Sequence, residues 1–187
     1  LMPTLARTRE RSRAVSCVNR MGQLSRAHMF YVKDSNFLFA SAKEWVNDDG
    51  WQWYRPVRAT EGTLWEYTDE TPEVYVCPTA EVRFPAHPYV KGLIASGKFE
   101  GFGWTITMNE RSGNRRGWQG CRLRRFTSVV SPESLGLFAD ENAWTVPGFS
   151  RYKINNGALG TRKNDGITPV SGAPIDCIGT FHYTANN

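Results

Sequence analysis

The opening 34 residues constrain the fold most, because they read as one helix whose two ends need different surroundings. Pro3 suits a first helical turn, where its missing N–H costs nothing. From there to Tyr31 no second proline occurs, and Gly22 alone interrupts a run rich in Arg, Ala, Leu, Met, Gln and Ser. The spacing predicts a helix over 1–34. Ala14, Cys17, Val18, Met21, Leu24 and His28 recur at three- and four-residue steps and form one apolar stripe for packing against a head. Before Ala14 the pattern is nearly all charge, Leu5 excepted. The first turns are therefore expected in solvent, with docking from about residue 14. A helix that starts bare and ends docked points to a continuation upstream into another environment.

The remainder, 35–187, reads as a β-rich head forming one domain with the helix. Forty per cent of the residues are apolar and 13% aromatic, enough to build a sizeable core. Asn47-Asp48-Asp49-Gly50 is a turn signal. The stretch 62–70 is a short helix or strand, Val74–Cys77 a short buried strand stopped by Pro78, and 88–97 one or two helical turns. Phe99–Met108 and 121–130 are strand-like, and Leu135, Leu137 and Phe138 lead a short strand ending at Asp140. A long loop is expected over 155–174 and a last strand over Ile175–Tyr183. No internal repeat or low-complexity linker divides the chain. The residues read as an α+β fold, a long N-terminal helix docked on a strand-rich head with long loops.

The net charge of +5 is unevenly placed. Arg7, Arg9, Arg11, Arg13, Arg20 and Arg26 crowd the helix, where Glu10 is the only acid before Asp34. A second group, Arg111, Arg115, Arg116, Arg122, Arg124 and Arg125, lies near the middle. Such clusters suit nucleic acid, anionic headgroups, an acidic partner, or plain solvent. The basic helix has no interleaved aromatics before Phe30 and Tyr31, so nucleic acid is not the expected partner. No stretch reaches the roughly 18 apolar residues of a spanning helix.

Catalytic signatures are absent from the sequence. It holds no Gly-x-Ser-x-Gly, no His-Glu-x-x-His and no phosphate-cradling glycine loop. Asp48-Asp49 reads as a turn and Asp140 as a strand end, so no enzyme is expected and no cofactor. His28 and His182 read as structural histidines. Cys17, Cys77, Cys121 and Cys177 are widely spaced, with no Cys-x-x-Cys and no histidine at metal-ligand spacing. Two disulfides, buried thiols or a zinc site assembled by the fold remain open. Of the three connectivities, Cys17–Cys77 with Cys121–Cys177 is expected, since Cys17 lies on the docked stripe and Cys77 ends an early strand. Trp45, Trp51, Trp53 and Tyr54, in or beside a turn-rich region, suit an exposed aromatic platform for a glycan ligand.

A family resemblance gathers these features. Leu1-Met-Pro-Thr-Leu-Ala-Arg-Thr-Arg-Glu-Arg-Ser-Arg-Ala-Val-Ser-Cys-Val-Asn-Arg-Met-Gly-Gln-Leu resembles the segment just after the membrane span in type IV pilin-like proteins of the prepilin cleavage/methylation class. Those proteins commonly carry Leu-Pro-Ala-Leu, a charged Ala-Arg-Glu-Arg-Ala-Arg run and Cys-x-Asn-Asn-Leu-Lys-Gln-Leu. Tyr31, Asp34 and Asn36 continue the likeness. Val76-Cys77-Pro78, the Ser131-Pro132 and Leu137-Phe138-Ala139-Asp140 pairings, and Gly179-Thr-Phe-His182 are weaker echoes. The family's terminal Asp-Gly-His turn and its apolar span are not in this sequence. The resemblance implies a pilin fold, a long N-terminal helix packed on an antiparallel sheet with long loops, and a structural subunit of a pseudopilus or type IV pilus-like fibre, of the kind that serves type II secretion. It implies an inner-membrane anchor upstream, a head in the periplasm or outside the bacterial cell, and as partners other pilin-like subunits and their assembly machinery. Some pseudopilins bind calcium in a C-terminal loop, but Asp140, Glu141, Asp165 and Asp176 do not form a calcium-loop pattern. A secreted or surface glycan-binding module using the exposed aromatics is the alternative.

Overall fold

The computed structural model describes residues 2–42, 44–47, 54–109, 125–129, 136–140 and 158–159. A single helix, α1 (Met2–Asp34), fills the first segment as the sequence predicts. At 33 residues it is about 50 Å long. Its end is fixed by backbone chemistry. Asn36 takes the left-handed conformation at φ 57°, which asparagine tolerates better than most residues. This turns the chain so that the Phe37 N–H donates to the Val32 carbonyl at 2.8 Å, satisfying one of the last helical acceptors.

Short elements follow: α2 (Val57–Thr60), 3₁₀ turns at Glu66–Thr68 and Pro72–Tyr75, α3 (Pro78–Arg83), a 3₁₀ turn at Phe84–Ala86, and α4 (Pro88–Ala95). Prolines start several of them, where the missing N–H has no intrahelical partner to lose. The Pro72–Tyr75 turn corrects the strand expected over Val74–Cys77. Pro72 pins φ near helical values at the start of an apolar run too short for periodicity to separate strand from helix. The segment is still sewn to the strand region beside it. The Thr105 N–H donates to the Tyr75 carbonyl at 2.9 Å, and the Thr105 hydroxyl accepts from the Cys77 N–H.

The sheet is small. β1 (Ile106–Asn109) lies between β2 (Phe138–Asp140) and β3 (Ala158–Leu159). β1 and β2 run antiparallel, with Met108 opposite Phe138 and Ile106 opposite Asp140. β1 and β3 run parallel, with Met108 opposite Ala158. The sheet is thus mixed where an antiparallel one was expected, and β3 sits inside the stretch read as a long loop. The expected last strand over Ile175–Tyr183 lies outside the described residues.

Among the described residues, one cluster forms the core, including Leu24 from α1, Trp45, Leu64, Tyr75, Phe84, Trp104, Ile106 and Met108. Trp45 stacks on Tyr75, with ring centroids 5.7 Å apart, and meets Phe138 edge-on at 5.2 Å. The backbone beside Trp45 comes close enough to 62–63 to require glycine. A Cβ on Gly62 would stand 2.1 Å from the Trp45 carbonyl oxygen. Among the described residues, α1 packs chiefly on α3 and on the Glu66–Thr68 and Pro72–Tyr75 turns, and reaches the sheet at β2. That corrects the expectation of a helix laid mainly on a sheet.

Candidate functional site

The most organised polar and apolar arrangement among the described residues is the seam between α1 and the head. From the apolar stripe, Cys17, Leu24 and His28 are wholly buried, and Ala27 and Val32 join them. Met21 is partly buried against the same cluster and Ala14 is half-buried. Val18 is the exception: it is 62% exposed, which corrects its place in the stripe. The physical reason is angular. Cys17, Leu24 and His28 fall within about 40° of one another round the helix, and Val18, about 100° beyond Cys17, turns off that face.

Docking begins one turn earlier than expected, at Glu10, and is polar there. The Glu10 side chain is only 15% exposed. Its carboxylate accepts from the Thr79 hydroxyl at 2.9 Å, pairs with Arg13 at 3.3 Å, and lies 3.8 Å from Arg83. A single acid among arginines thus ties α1 to α3. Further along, the Arg20 guanidinium donates to the Val76 carbonyl. Sequence reasoning noted Glu10 only as a lone acid. Its position seven residues before Cys17, two helical turns along the same face, was the available signal.

His28 closes the far end of the seam. Its Nε2 accepts from the Ala40 N–H at 3.2 Å, so Nδ1 carries the proton of the neutral ring. Nδ1 is buried with no hydrogen-bond partner among the described residues. The ring stacks on Phe39 at 5.2 Å and meets Phe138 edge-on. Burial among these rings pushes the His28 pKa down to about 4. Tyr31, one turn on, is pushed up, first by burial and then by the nearby Glu44 carboxylate.

The rest of α1 is open. Residues 4–9, with Arg7 and Arg9, are exposed, and so is Arg11. Two groups of apolar residues, Val15 with Val18 and Met29 with Phe30, also stand in solvent, Phe30 at 60%. Large exposed apolar residues grouped on one element commonly mark a contact surface.

The aromatic platform does not hold together as expected. Trp45 is wholly buried in the core, which removes it from any solvent-facing row, and Tyr54 is half-buried against the same cluster. Trp51 and Trp53 lie outside the described residues. Cys17 and Cys77 are buried in one cluster as thiols, without the expected disulfide between them, while Cys121, Cys177 and His182 lie outside the described residues. Of the acids weighed for calcium, Asp140 falls in β2, and Glu141, Asp165 and Asp176 are outside them. Among the described residues, no group of three or more His, Cys, Asp or Glu converges to hold a metal, and no helix is long and apolar enough to cross a membrane. Comparison with protein-family models, curated proteins and solved structures finds no match to this chain.

Proposed function

We propose that this chain is a pilin-like structural subunit of a bacterial envelope fibre, of the pseudopilus or type IV pilus kind, held to the inner membrane by an apolar half-helix preceding Leu1. One observation carries the reading. A helix of about 50 Å has bare, arginine-rich first turns, a later face docked on the head, and two groups of apolar residues left open. A helix needed only to complete its own core has no use for the bare turns or the open apolar residues. In a fibre, both have work: the exposed arginines stand beside anionic headgroups, where each cation contributes about 1 kcal/mol, and Val15, Val18, Met29 and Phe30 meet helices of neighbouring subunits. The motif likeness of the first 36 residues adds to this reading. The partners are other pilin-like subunits and the machinery that assembles them, and the role is mechanical rather than catalytic.

The test is site-specific photocrosslinking in the native envelope, with a benzophenone amino acid at Val18 or, as control, at Leu24. The reading predicts adducts with other pilin-like subunits from Val18 and none between chains from Leu24. Equal absence of intermolecular adducts from Val18 and from Val15 contradicts it. The glycan-binding alternative loses one of its four aromatics with the burial of Trp45.

A further inference from the structure

We infer that Cys17 and Cys77 form a disulfide that staples α1 to the head. Two polar ties bracket the pair. On the helix, Cys17 lies between Glu10 and Arg20; on the head, Cys77 lies between Val76 and Thr79. Glu10 accepts from Thr79, and Arg20 donates to the carbonyl of Val76. With both ends of the bracket fixed, the two cysteines, both thiols in this structure, are held in the same stretch of the seam. Each is wholly buried, and both belong to the same core cluster.

The backbone around Cys77 is pinned from both sides. Arg20 holds the carbonyl before it, and the Thr105 hydroxyl accepts from its own N–H. Cys17 sits mid-helix on the docked face, so its Cα is equally fixed. A bond here closes a loop from the helix to the start of α3 and restricts the unfolded chain over that whole span.

The chemistry is thiol–disulfide exchange with an external disulfide such as oxidised glutathione. One cysteine loses its proton and its thiolate attacks that disulfide, forming a mixed disulfide and expelling one glutathione thiolate. The second cysteine, deprotonated in turn, attacks the protein-side sulfur, closes the Cys17–Cys77 bond and expels the second glutathione. The two cysteine sulfurs are oxidised by two electrons in all, and one glutathione disulfide is reduced to two thiols. Because both sulfurs are buried, exchange takes place while α1 is undocked, during folding, and the finished bond resists reductant in the native state.

The inference stands whether or not the chain joins a fibre. Its test is peptide mapping of the chain refolded with oxidised and reduced glutathione, alkylated in denaturant and digested with trypsin without reduction. Cleavage after arginine and lysine puts the four cysteines in four separate peptides. The expected product joins Ala14–Arg20 to Ala59–Arg83. Alkylated Cys17 and Cys77, or Cys17 joined to the peptide of Cys121 or Cys177, overturns the inference. A second measurement uses the Cys121→Ser/Cys177→Ser chain. Its oxidised form is expected to melt about 10 °C above its reduced form, and equal melting temperatures count against the staple.

Discussion

The two sides of α1 differ in what their apolar residues touch. Cys17, Leu24, Ala27, His28 and Val32 are out of solvent, whereas Val15, Val18, Met29 and Phe30, on the same helix, stand in it. Apolar burial is non-directional and could have favoured either side. The docked side is distinguished by polar contacts of fixed geometry at intervals along it: Glu10 to Thr79, Arg20 to Val76, and the Ala40 N–H to His28. Hydrophobicity supplies the driving force, and these contacts set the register and choose the face. The open side, which lacks such contacts among those described, keeps its apolar residues in solvent.

The comparison breaks most readily at Leu24. Leu24→Ala should lower unfolding free energy by about 2–5 kcal/mol in urea titration, since the side chain is wholly buried in the core. An effect as small as that of a surface change would mean the seam is not formed in solution.

A comparable effect is expected from pH. The folded-state pKa of His28 lies near 4, below its ordinary value of 6.5. The unfolded chain therefore binds more protons between these values, and stability contributed by neutral His28 is complete above about 6.5 and lost as pH falls toward 4. The full loss is about 3 kcal/mol. Protonating Nε2 also sets a donor against the Ala40 N–H. Urea titrations across this range should show the decline, and His28→Phe should flatten that part of the profile.

The polar latch is worth less. Glu10→Ala should cost about 1–2 kcal/mol, because it removes a charge-assisted bond at a largely covered site. A double-mutant cycle with Thr79→Val should recover most of that as coupling, and no coupling would separate Glu10 from docking. Smallest of all, Val18→Ala should change the stability of the isolated chain by under about 0.5 kcal/mol, while weakening contacts between chains in the native envelope. A large loss of stability in the isolated chain would put Val18 in the core and close the comparison.

Much of this frame was legible in the residues. The helix could be read from Pro3 to Asp34, and its docked register from Cys17, Leu24 and His28, because a long amphipathic segment repeats its signal several times. Val18 was misread because stepping by three and four from different residues admits both members of an adjacent pair. Glu10 was passed over because a carboxylate among arginines looks solvated until the hydroxyl of Thr79, 69 residues away, is placed beside it. The 3₁₀ turn at Pro72–Tyr75 and the mixed sheet were not legible, since short apolar runs carry no period and strand pairing is a long-range property. Trp45 looked available because sequence shows a tryptophan near a turn but not the Tyr75 and Phe138 rings that enclose it.

The central claim is that α1 continues upstream into an apolar membrane anchor of the pilin kind. It is tested most directly by mass-spectrometric sequencing of the N-terminus of the protein extracted from its native membranes. The account predicts roughly 20 apolar residues ahead of Leu1, beginning with an N-methylated residue. A mature chain that starts near Leu1 after an ordinary signal peptide contradicts it.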